Sequence, residues 1–273
     1  MKSWIGHNPL AIAAIGTLFA IAGTAIADAV GFGLNILPLA LLFFLFWYLQ
    51  RFSRIEIGLT WGHWRDYGLA VFYPALVVAL IGLVAWLSGA VTINSIDRSR
   101  TLITFFAAQL IPTIVFGLIT EEGIFRGWLW ASLQRARVAE LWVLVLTSAA
   151  FAAWHISTAL LTFHLPLAQV PVYILNAGVI GFVWALMRRR SGSIVVTSVS
   201  HGVWNSLAYV LLGEGTAIGV LGIHNTVVFG PEVGVFGLVL NLAFAAVLWV
   251  AYSRLPAQQP VIFEPGASRL RRG

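Results

Sequence analysis

The chain has 273 residues, of which 60% are hydrophobic and only 10% charged. Soluble domains carry about 25% charged residues, so this composition excludes an ordinary soluble protein and points to a polytopic membrane protein. The absence of cysteine excludes disulfides, thiolate metal sites and a cysteine nucleophile, and the net charge of +6 comes from Lys and Arg scattered through short loops, not from a nucleic-acid-binding patch.

Eight hydrophobic segments follow one another, near Pro9–Ala27, Leu34–Gln50, Leu69–Ala90, Leu102–Arg126, Leu141–Thr158, Ala168–Met187, Ile194–Leu212 and Val233–Tyr252. The expected fold is therefore all-α, with about eight transmembrane helices in a single domain over residues 1–253. Residues 254–273, with three Pro and four Arg, read as a loose cytosolic tail. Lys2 and Ala25-Ile26-Ala27 give the first segment some likeness to a cleavable signal peptide, but seven further spans favour an uncleaved first helix. Several Trp (Trp47, Trp61, Trp64, Trp128, Trp130) fall near span ends, as interfacial anchors do. With the N-terminus inside, 14 of the 16 basic residues lie in cytoplasmic segments and only Arg98 and Arg100 lie outside. This bias predicts a multi-pass protein of the cell membrane with both termini cytoplasmic.

The fourth segment ends in Thr120-Glu121-Glu122-Gly123-Ile124-Phe125-Arg126. Each ionised side chain near a bilayer centre costs roughly 2.5–3.5 kcal/mol, so two adjacent carboxylates need a reason. Glu122 and Arg126 are four apart and can pair on one helical face, whereas Glu121 lies about 100° round the helix with no local partner. Of ten acidic residues only these two fall within a predicted span or its edge. Two of the six histidines also lie inside apolar segments: His155, after Phe151, and His201, which shares a face with Asn205. The other four, His7, His63, His164 and His224, read as loop or interface residues without a role. Glu121 and His155 are each 17 residues from the turn expected near Val138, which places them at similar depth in an antiparallel hairpin. If Arg126 marks the cytoplasmic boundary, Glu121 lies about 7–8 Å inside it, and His201 is about 13 Å past Gly192. On this reading a carboxylate, two imidazoles and an amide meet in the cytoplasmic half of the membrane.

A carboxylate and a histidine can position and deprotonate water, and a second histidine with an amide can hold an oxyanion. That equipment suits amide hydrolysis of a membrane-associated protein or peptide. Glu121, His155 and His201 could equally ligate a zinc ion with an open position, and the sequence leaves this choice open. There is no His-Glu-x-x-His, no Gly-x-Ser-Gly within a span and no intramembrane aspartate pair, which excludes three other protease chemistries.

Glu121-Glu122-x-x-x-Arg126, Phe151-x-x-x-His155 and His201-x-x-x-Asn205, in this order on three membrane helices, resemble the CPBP (ABI, type II CAAX prenyl endopeptidase) family. The likeness spans residues 121–205. It implies an eight-helix intramembrane protease, with its site between helices 4, 5 and 7 and open to the cytosol, whose eukaryotic members remove the last three residues of prenylated CAAX proteins. It further implies that Glu121 and His155 activate water, while His201 and Asn205 stabilise the oxyanion or, on another account, join a metal site. Glu122, Arg126 and Phe151 would support them. Two other classes fit the composition: a transporter in which Glu and His relay protons, and a non-catalytic family member that binds a peptide. Neither an inverted repeat nor a pair of broken helices favours the transporter.

Overall fold

Once water is excluded, an apolar run can satisfy its backbone only by forming a helix or closing a barrel. A computed structural model describes residues 8–31, 36–93, 98–214 and 217–253, and among them the only β-pairing is an isolated bridge between Val91 and Ile223. The helices are α1 (Pro9–Ala29), α2 (Leu37–Gln50), α3 (Trp64–Leu87), α4 (Arg100–Arg135), α5 (Glu140–Thr162), α6 (Val170–Ser191), α7 (Ile194–Leu212), the short α8 (Thr226–Phe229) and α9 (Val235–Ser253). Seven of these are long and apolar enough to cross a membrane. α2, with 14 residues, is a shorter apolar helix, at the position of the second expected span. Lys2, His7, Asp97 and the Arg/Pro tail fall outside the described residues.

The expected boundaries shift where capping chemistry overrides hydropathy. α3 starts at Trp64, not Leu69, because His63 and Asp66 form a reciprocal capping box. α7 starts at Ile194 as expected, where the Ser193 hydroxyl accepts from the backbone N–H groups of Val195 and Val196. α6 runs on through the three arginines to Ser191 and stops at Gly192, which adopts the left-handed conformation.

The spanning helices alternate in direction, which gives the bundle two unlike ends. At one end gather Arg51, Arg54, Arg65, Arg135, Arg137, Arg188, Arg189 and Arg190, tied by ion pairs of Arg135 with Glu56 and Arg189 with Glu140. At the other end α1, α3, α5 and α7 finish and α4, α6 and α9 begin. α5 packs along α6, α6 along α9, and α7 against both α3 and α4.

α4 has 36 residues, about 54 Å at 1.5 Å per residue, against a hydrocarbon core of about 30 Å. Its two halves differ in surroundings. From Thr104 to Ile119 only Gly117 is buried, and Phe106, Ile111, Val115 and Phe116 face the hydrocarbon. From Glu122 to Leu133 every residue is buried. The Trp128 indole and the Ser132 hydroxyl both donate to the Gln50 side chain, which docks α2 on this inner half.

Candidate active site

The site begins with an irregularity in α4. At Thr120 the backbone leaves helical geometry (φ −112°, ψ −96°), and Glu122–Leu129 continue as a π-helical turn. Thr120 occupies its own hydroxyl by donating to the Phe116 carbonyl at 2.7 Å. Wide turns of this kind re-phase the side chains that follow and often mark functional positions. Here the two adjacent carboxylates take different surroundings. Glu121 stays partly exposed, with Oε2 3.8 Å from His201 Nε2. Glu122 is fully buried and meets Arg126 at 3.4 Å and His201 Nδ1 at 3.3 Å. The expected Glu122–Arg126 pair is present, and His201 bridges the two glutamates.

Phe151 holds two of the other motif residues. Its backbone carbonyl lies 2.8 Å from His155 Nδ1, one turn on, so Nδ1 carries the proton and Nε2 remains free to accept. Its ring lies under the Arg126 guanidinium at 4.1 Å, with Trp184 at 5.4 Å completing an aromatic seat for the cation. Trp184 in turn stacks on the His201 ring at 4.3 Å and is fixed by donating its indole N–H to Ser200 Oγ. The guanidinium fits because residue 181 is glycine: a Cβ there would stand 2.9 Å from an Arg126 nitrogen.

Glu121, Phe151, His155, His201 and Asn205 line one cavity of 280 Å³. Glu122 and Arg126 lie outside its lining, beneath it. Sequence reading missed two further carboxylates in the wall, Glu214 and Glu232, because both fall in loops. Glu232 accepts from the Trp204 indole and the Tyr209 hydroxyl, each at 3.0 Å. Its loop is held by Asn176, which donates to the carbonyls of Pro231 and Glu232, accepts from Asn241, and so connects to Tyr73. The sequence signal was there in Gly230-Pro231-Glu232-Val233-Gly234, a turn able to fold an acidic residue back against the bundle. Burial, reinforced by the nearby Glu232 carboxylate, pushes the Glu214 pKa up to about 7.

The depth expected for this site needs correction. Arg126 does not mark a membrane boundary: it is fully buried, paired with Glu122 and seated on aromatic rings, and α4 runs on to Arg135. Glu121 is therefore about 21 Å along the helix from the Arg-rich end, in the middle of the molecule. Gln109, Thr162, Phe163, Tyr173, Tyr209 and Glu214 extend the cavity towards the opposite end. Arg188 also departs from its expected role as a loop charge. Its guanidinium is buried and donates to the carbonyls of Arg126 and Glu56.

Glu121, His155 and His201 were candidate zinc ligands. Among the described residues no three His, Asp or Glu side chains come together in a geometry that could hold a metal ion. The donor set as arranged does not fit a zinc site, and no reaction step is derived through a metal.

No curated protein matches the chain. Residues 102–207, less than half of its length but nearly all of α4, the whole of α5 and α6 and the motif-bearing part of α7, match the family model described as Type II CAAX prenyl endopeptidase Rce1-like. The segment matched is the one that builds the wall of Glu121, His155, His201 and Asn205, and over that segment the chain is similar to the Rce1-like CAAX prenyl endopeptidases.

Proposed function

We propose that this protein hydrolyses a peptide bond with a water activated by Glu121 and His155. The observation that carries the reading is the meeting of Glu121, His155, His201 and Asn205, from three helices, on one polar cavity in an otherwise apolar bundle. Glu121 takes a proton from water held between its carboxylate and His155 Nε2, and the hydroxide attacks the scissile carbonyl carbon. The oxygen of that carbonyl gains negative charge and is met by the Asn205 amide N–H and by the His201 imidazole, which sits between two carboxylates. Collapse breaks the C–N bond, and the proton held by Glu121 passes to the leaving nitrogen, leaving a carboxylic acid and an amine. Glu122, Arg126 and Phe151 orient His201 and His155 without touching substrate.

The test is hydrolysis of a quenched-fluorescence peptide panel by purified protein in detergent. Glu121→Gln keeps the shape and removes the base, so activity should fall at least a hundredfold at unchanged yield and melting temperature. Full activity in this variant would refute the assignment.

A further inference from the structure

We propose that the cavity opens to the extracytoplasmic side of the membrane, so that the substrate is a peptide segment presented on that face. This rests on the reading of the cavity as a hydrolytic site and departs from the expectation that the site faces the cytosol. Three observations carry it. The walls run from Glu121 in one direction only: back along α4 to Gln109, forward along α5 to Thr162, back along α6 to Tyr173, and forward along α7 to Tyr209 and on to Glu214. Because the helices alternate, all of these lead to one end of the bundle. In the other direction the way is filled. Every residue from Glu122 to Leu133 is buried, Trp128 and Trp184 are among the largest fully buried side chains, and Arg188 ties the Arg126 and Glu56 carbonyls together below them.

The third observation is charge. The filled end carries Arg51, Arg54, Arg65, Arg135, Arg137, Arg189 and Arg190, all in or beside short connections, where basic residues fix the cytoplasmic side. The open end has Glu214 and Glu232, and no residue lining the cavity is Lys or Arg. Water and a polar backbone therefore reach Glu121 from outside, while the cytoplasmic half of the bundle is a plug that holds Glu122, Arg126 and His201 in place.

The chain contains no cysteine, so single thiols report side directly. Thr158→Cys places one on the cavity wall a turn beyond His155, and Gln134→Cys places one at the exposed Arg-rich end. In intact cells expressing the full chain, a small membrane-impermeant cationic thiosulfonate should label Thr158→Cys, whereas Gln134→Cys should label only after permeabilisation. Thr162→Cys, nearer the mouth, serves if Thr158→Cys does not accumulate. The opposite pattern overturns the proposal, as does a cavity thiol that stays unlabelled from both sides while Gln134→Cys reacts. Labelling needs no turnover, so a protein that labels as expected but cleaves no peptide refutes the hydrolytic reading and leaves the orientation standing.

Discussion

Glu121 and Glu122 differ by one position and by almost everything in their surroundings, and this predicts different failures on mutation. Glu122→Gln strands the Arg126 guanidinium, and Arg126→Ala strands the carboxylate. Either change to a fully buried pair should cost on the order of 3–5 kcal/mol, seen as lost yield and a lower melting temperature before any kinetic effect. Glu121→Gln should show the reverse, with equal and purely catalytic losses in all three variants counting against the division. Glu214 provides a pH signature. Its folded-state pKa of about 7 lies above the ordinary value of 4.5, so the folded state binds its proton more tightly than the unfolded state does. Its contribution is fully present below about pH 4.5 and is lost as pH rises towards 7. Melting curves in detergent at pH 5.5 and 8 should show a smaller alkaline loss for Glu214→Gln than for wild type. At this scale the sequence showed which residue types matter, because charge in an apolar run is conspicuous. It did not show what Phe151 does, since a backbone carbonyl and a ring face act without leaving a polar letter. Glu214 and Glu232 were hidden for the opposite reason: loop carboxylates are common, and only the tertiary turn brings them to the cavity.

Between elements, the contact that sets the site is α7 against the outer half of α4. It is close because residue 202 is glycine: a Cβ there would lie 2.5 Å from Ile114 Cγ1 and 3.0 Å from the Leu110 carbonyl oxygen. Gly202→Ala should therefore push the two helices apart, destabilising by about 1–3 kcal/mol and lowering activity by moving His201 relative to Glu121. Pairing it with Ile114→Ala should restore part of the melting temperature, and no recovery in the double variant would place the strain elsewhere. Helix existence was legible from hydropathy throughout the described spans. Boundaries were legible for α7 but not for α3 and α6, whose ends are set by a cap and a turn that hydropathy does not register. The expected end of α4 at Arg126 failed through a sound rule misapplied. An arginine at the end of an apolar run is usually solvated, but this one is seated on Phe151 and Trp184.

For the whole molecule, alternating helices and the distribution of arginine were both readable from sequence, yet the end of the bundle to which the cavity walls lead was not. That depended on knowing which residues fill the space between the motifs and each end, and bulky side chains from α4 and α6 do so on the Arg-rich side. The same asymmetry bears on turnover. Cleavage creates a new carboxylate and a new ammonium group in a chamber whose wall carries Glu121, Glu214 and Glu232 and no fixed cation. The acid fragment is repelled as it forms and should leave first, whereas the amine fragment finds counter-charges along the way out. Product inhibition should therefore be lopsided: peptides matching the amine-side fragment should compete with substrate, and those matching the acid-side fragment should do so weakly until the pH falls.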